Sequence, residues 1–146
     1  MQVSVHKIAD ALGGESVIKH PIRHELDLMT VVKEGLPIES LTYLQQNFGF
    51  TNKAMSHILA ISQSTYQRRI RANDKLTQDE TEKAIALSEV YEKGIEVFDN
   101  MPDFHDWMHS SIASLQQQCP VDLLDSTLGR KQVMRVLNAI LHGIYL

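Results

Sequence analysis

Between Thr51 and Lys75 runs TNKAMSHILAISQSTYQRRIRANDK, whose polar side chains form a combination suited to reading nucleic acid. Gln63, Ser64, Thr65, Gln67, Arg68 and Arg71 fall within one helix-length run, and Lys75 lies just beyond it. Gln pairs with adenine edges, Arg with guanine or phosphate, and Ser or Thr tolerates several bases. In such a helix the first turns face base edges while cations hold the phosphate backbone. The set predicts a DNA-contacting helix. Its competitor is an ordinary helix pair whose basic face is merely solvated.

Positioning these side chains requires two helices and a tight turn, over about residues 51–71. Met55, Ile58 and Leu59 are spaced as one buried helix face demands. After a turn at Ala60-Ile61, Ser62 is placed to cap a second helix by accepting from a free backbone N–H. That helix should bury Tyr66 and Ile70. The turn position that favours Gly, for its tolerance of positive φ, holds Ala60.

The chain of 146 residues is long enough for one sizeable core or for two small helical units sharing one. Its 43% hydrophobic and 22% charged content is that of an ordinary soluble globular protein. No apolar run approaches the length of a membrane span, so no membrane partner is expected. The N-terminal MQVSVHKIADALGG does not read as a secretory signal, and a single Cys119 forms no internal disulfide. A reducing cytoplasm is the expected compartment. The net charge of −4 conceals an uneven distribution. Arg68, Arg69, Arg71 and Lys75 stand against Asp74 alone, whereas the stretch from Asp79 to Asp106 is acidic. One small basic patch on an acidic body binds DNA weakly, so a homodimer on a two-fold operator site is expected.

In chain order, Val5, Ile8, Ala9 and Leu12 mark a short amphipathic helix closed by Gly13-Gly14. Residues 15–35 stay open between strand and helix, with Pro21 breaking the stretch. Pro37 should open a helix through Leu41, Leu44 and Phe48, ended by Gly49. Beyond the helix pair, Thr77-Gln78-Asp79-Glu80 spells a capping box. It opens a long helix with Ala84, Leu87, Tyr91, Ile95 and Phe98 inward. Asp103 is expected to cap a further helix burying Phe104, Trp107, Met108 and Leu115. Pro120 should start a short turn with Leu123 and Leu124. Gly129 should break it, and a last helix should begin at Arg130 with Val133, Leu137, Ile140 and Ile144 inward and Gly143 as its stop. The pattern predicts an all-α protein: an N-terminal helix-turn-helix unit, then a small helical unit. Residues 1–100 make the first region and 101–146 the second.

The run CPVDLLDSTLGRKQVMRVLNAILHGIYL resembles the toxin-binding domain of the Xre/MbcA/ParS antitoxin family. The shared pattern is Trp107, then Pro120, Asp122, Leu123, Leu124, Gly129, Val133, Leu137 and Gly143. AISQSTYQRRIRANDKLTQDETEKAIAL is similar to the same family's helix-turn-helix with its following capped helix. Departures fall at Leu115 to Cys119, where the family often has a Leu-Gly-Gly-like segment, and at Tyr66, where it often has Leu or another aliphatic residue. The resemblance implies an antitoxin for a RES-domain toxin, which degrades NAD or transfers its ADP-ribose to a protein. It also implies that the C-terminal segment covers the toxin's active-site entrance while the helix-turn-helix binds and represses the protein's own promoter. His142, Gly143, Ile144, Tyr145 and Leu146 are the candidate toxin contacts. A Tyr ring beside a terminal carboxylate suits a nicotinamide-type pocket and its cations. The competing possibility is that Ile144 and Leu146 pack back on the last helix.

Other chemistry is sparse. His105 and His109 are four apart on a helix, but no third metal ligand is evident. Cys119 has no local base or resolving partner. His20 and His24 straddle Pro21 and share no helix face. With no phosphate loop, paired carboxylates or metal cluster, the sequence reads as a non-enzyme without a cofactor.

Overall fold

A computed structural model describes residues 3–144 and shows an all-α fold. Eight α-helices follow one another among these residues: α1 (Val5–Ala11), α2 (Asp27–Glu34), α3 (Glu39–Phe48), α4 (Asn52–Leu59), α5 (Gln63–Ala72), α6 (Gln78–Phe98), α7 (Met101–Met108) and α8 (Thr127–Leu141). Short 3-10 turns occupy Gly14–Ser16, Ala113–Leu115 and Pro120–Leu123. The doubtful stretch within 15–35 is resolved as helix α2, with Leu28 and Val31 buried. Its one buried face packs on α6, where a 3.6-residue period fits and strand alternation does not.

The longest helix, α6, is the hub, packing against α1, α2, α3, α7 and α8. Small residues let neighbours approach it closely. Ala84 and Ser88 are fully buried, and a side chain added at Gly94 would collide with the Phe104 ring of α7. The capping box at its start forms as expected: Thr77 N–H donates to Glu80 Oε1 (2.9 Å) and Glu80 N–H to Thr77 Oγ1 (3.1 Å). Aromatic rings join the two halves of the chain. Phe48, at the end of α3, stacks on Phe50 at 4.6 Å and lies 6.1 Å from Phe104. Phe104 in turn meets Phe98 and Trp107.

Several expected boundaries move. Asn100, not Asp103, caps α7, with its Oδ1 accepting from Asp103 N–H at 2.9 Å. Asp103 stands inside the first turn. Leu115 is buried but lies outside α7, in its own 3-10 turn. The last helix starts at Thr127 with Ser126 as cap, so Gly129 is inside it, not before it. A Cβ at Gly129 would strike the Leu123 carbonyl, which explains why a glycine occupies a helical position. Ile140, expected inward, is 41% exposed. Gln116 and Gln117 hold φ of 56° and 65°. The loop therefore keeps the left-handed backbone that a Gly-Gly pair would adopt without a Cβ clash.

Candidate nucleic-acid interface and C-terminal tip

Thr51 caps α4 by accepting from Ala54 N–H at 3.1 Å. Ala60 then takes φ 60°, ψ 39°, the left-handed turn conformation, although it carries a Cβ. Its N–H closes on His57 O, and Ile61 N–H reaches Ser56 O, so the turn satisfies the end of α4. Ser62 opens α5 by accepting from Thr65 N–H at 3.1 Å. Met55, Ile58, Leu59 and Tyr66 are buried, and Ile70 is half-buried.

Three polar links fix the helix pair in place, two on α5 and one on α4, none of them visible as a motif. Tyr66 Oη donates to Gln45 Oε1 at 2.7 Å, and Gln45 Nε2 donates to Asn52 Oδ1 at 2.7 Å. This relay ties α5 to α3 and to the start of α4. It also explains how a phenol is accommodated here: the ring fills the core while the hydroxyl is paired, and burial pushes its pKa up to about 12. The second link is Arg69, whose guanidinium grips Glu80 through two hydrogen bonds of 2.7 and 2.8 Å. The Arg69 bond holds the Glu80 carboxyl down at about 2, against the opposing effect of burial, with the Thr77 backbone bond helping. The third is Lys83, whose Nζ donates to Ile58 O at the end of α4 (2.8 Å). Burial lowers its pKa, and nearby Arg130 adds to the shift.

The polar residues of α5 are thereby sorted. Gln63, Ser64, Gln67, Arg68, Arg71 and Lys75 are exposed. Thr65 is half-buried, and its hydroxyl accepts from Ser62 Oγ at 2.9 Å within the cap. Arg68 and Arg71 take part in no ion pair among the described residues, whereas Arg69 is spent on the fold. Lys75 is held by the crossing of two loops, where Leu76 N–H donates to Leu36 O (2.8 Å) and Ile38 N–H to Asp74 O (3.0 Å). The arrangement is a rigid helix with one polar, cationic face turned outward, the geometry of groove recognition.

At the other end of the chain, Arg130 is buried beneath the start of α8. Its Nη1 donates to Leu124 O at 2.8 Å and Nη2 to Thr127 Oγ1 at 3.2 Å. It locks the Pro120–Leu123 turn onto α8. Val133, Val136 and Leu137 are the helix's buried side. His142 closes α8 and is exposed, Gly143 turns the chain at φ 70°, and Ile144 stands 57% exposed. Tyr145 and Leu146 lie outside the described residues. His105 and His109 stack at 4.3 Å, with His109 Nδ1 engaged by the His105 carbonyl at 2.9 Å. No group of metal-holding side chains occurs among the described residues, and no described helix is long and apolar enough to cross a membrane.

Residues 27–88 match the model of the antitoxin Xre-like helix-turn-helix domain, and residues 93–143 that of the antitoxin Xre/MbcA/ParS C-terminal toxin-binding domain. The chain belongs to the Xre/MbcA/ParS antitoxin family. An Antitoxin Xre from Photorhabdus laumondii subsp. laumondii is 28% identical over 118 residues, covering 80% of each chain. The protein is thus an antitoxin of a toxin–antitoxin system with a helix-turn-helix and a toxin-binding domain. In this antitoxin α6 runs through the boundary between the two matched regions, so one rigid helix carries both.

Proposed function

We propose that this antitoxin neutralises a cognate RES-domain toxin, one that degrades NAD or transfers its ADP-ribose to a protein. It does so by laying the segment from His142 to Leu146 over the toxin's active-site entrance. Through α5 it binds and represses its own promoter, with Gln63, Ser64 and Gln67 toward the bases and Arg68, Arg71 and Lys75 on phosphates, while Thr65, expected among the base contacts, is taken up by the Ser62 cap. The labour divides between residues 1–100, which read DNA, and 101–146, which hold the toxin. The work is binding, done in the cytoplasm without cofactor or catalysis.

The observation that carries the neutralisation reading is Ile144. Immediately beyond the toxin-binding match, the chain turns at Gly143 and leaves this large apolar side chain in solvent and not on α8. A single exposed apolar side chain is ordinary on a surface; what singles out Ile144 is its place, directly after the toxin-binding match at the end of α8. A homodimer supplies the second recognition helix. The apolar groove between α2 and α6, lined by Leu28, Val32 and Ile85, has Leu26 (73% exposed) and Met29 (57% exposed) at its rim. Lys33, Glu25, Glu82 and Glu89 also line it, so knob, hole and both charges occur on one patch, as a two-fold interface requires.

The test is co-expression with the product of the adjacent reading frame, which the proposal expects to be a RES-domain protein, then purification and a promoter-binding assay. A co-purifying toxin in a complex that shifts its own promoter is expected. Promoter binding without toxin would mean a stand-alone regulator, and toxin without promoter binding a pure interaction module. Either would contradict the proposal.

A further inference from the structure

The tail is a small contact, and α8 itself has a second face that the fold does not use. No Asp or Glu follows Asp125, although the whole chain carries a net charge of −4. On α8, Leu128, Lys131, Arg135 and His142 recur at intervals of three, four and seven residues, which places them along one side of the helix. All four are exposed, Leu128 by 69%. The opposite side, Val133, Val136 and Leu137, is the side buried toward α6. Lys131 and Arg135 enter no ion pair among the described residues, and Arg135 Nε bonds only the neutral Gln132 Oε1 at 3.0 Å. Leu128 edges a shallow groove completed by Gln116, Gln118 and Gln132. Its wall includes the loop whose Gln116 and Gln117 are held in the left-handed region.

A cationic stripe about 20 Å long, ending in an exposed leucine at one end and the exposed tip at the other, has the composition of a docking face. The alternative is a solvated helix side. Such a side on an acidic protein would be expected to mix both signs and to lack a large exposed leucine.

We propose that this outward face of α8 is the main docking surface for the toxin, and that the toxin presents to it an acidic surface with an apolar seat for Leu128. The inference rests on the toxin-binding reading and extends it from the tip to the whole helix. The face lies within residues 93–143, the toxin-binding match, and its His142 end is two residues from the exposed Ile144. The stripe steers the toxin in and sets the register, and the tip then reaches the active-site entrance. Steering by exposed cations acts mainly on the association rate and fades as salt screens it.

The experiment measures association of the full-length antitoxin with its purified cognate toxin, the one that co-purifies on co-expression, from about 50 to about 500 mM salt. Wild type is compared with Lys131→Gln plus Arg135→Gln, with the reversed pair Lys131→Glu plus Arg135→Glu, and with Leu128→Ala. All three sites are exposed, so the variants should melt as wild type does and still bind the promoter. The neutral pair should associate about tenfold more slowly at low salt and the reversed pair more slowly still, with the gap closing at high salt. Leu128→Ala should instead raise the dissociation rate by about tenfold at every salt concentration. Unchanged rates and salt slope in the charge variants, with wild type binding the toxin tightly, would overturn the proposal while leaving the antitoxin reading intact. Loss of promoter binding with toxin binding intact would assign the stripe to DNA and also overturn it. Absence of any wild-type complex would fail the antitoxin reading itself.

Discussion

Glu80→Gln isolates the ion pair that anchors the recognition helix. Gln serves in a capping box as Glu does, so the Thr77 cap survives and only the charged grip on Arg69 is lost. In the folded protein the Glu80 carboxyl sits at about 2 against an ordinary 4.5, chiefly because of the Arg69 hydrogen bonds. A depression of that size corresponds to about 3 kcal/mol. The side chains of Arg69 and Glu80 keep 15% and 16% of their exposure, so the pair is still touched by water. Screening, and the cap that Gln retains, bring the expected loss to about 1–2 kcal/mol, or roughly 3–6 °C in Tm. The sign follows from a depressed carboxylate: the stabilisation is complete above pH about 4.5 and disappears as pH falls toward 2. Denaturant melts of both proteins across pH 2–7 test this. The wild type should lose its advantage between pH about 4.5 and 2 and match the variant below that. A variant as stable as wild type at neutral pH, or a gap that persists at pH 2, would refute the assignment.

Removing both free cations of α5, Arg68→Ala with Arg71→Ala, should abolish promoter binding and leave toxin neutralisation untouched; in a weaker charge-neutralising variant of either one, the salt slope should fall by about one unit per lost phosphate contact. Electrophoretic mobility of the promoter fragment is the measurement. Leu26→Asp with Met29→Asp should turn a dimer into a monomer in sedimentation at micromolar concentration, while the fold persists, because both side chains are already in solvent. Ala60→Gly should raise stability by about 0.5–1 kcal/mol, the left-handed penalty of about 1–2 kcal/mol less the entropy of glycine. Thermal melting checks it, and a loss of stability would mean that the turn is unstrained.

Much of the fold was legible because its local signals are strong and mutually consistent. The Thr77 box, the Ser62 cap and the spacing of Met55, Ile58 and Leu59 all formed as the residue types require. What the sequence hid was decided across the core. Gly129 reads as a breaker until Leu123 O is known to press on it. Asn100 and Asp103 are both good caps, and only the backbone placing Met101 and Pro102 in the first turn chooses between them. Residues 27–34 carry β-branched side chains whose helical state follows from packing on α6. In the candidate site, the outward set on α5 was readable from spacing. That Arg69 is withdrawn by Glu80, and that Gln45 pairs with Tyr66, was not, since both partners lie on other helices.

The central claim is that promoter binding and toxin neutralisation occupy separate surfaces of one antitoxin. It is tested most directly by growth rescue against the cognate toxin of the proposed RES class, with cellular NAD measured in parallel. The wild type and Arg68→Ala with Arg71→Ala should both restore growth and NAD. Removal of Ile144, Tyr145 and Leu146 should spare cooperative melting and promoter binding, since Ile144 is exposed beyond the last helical turn. An enclosed aromatic anchor contributes on the order of 2 kcal/mol at an interface, so that truncated form should fail to rescue. Full rescue with undiminished NAD by the truncated protein would contradict the account.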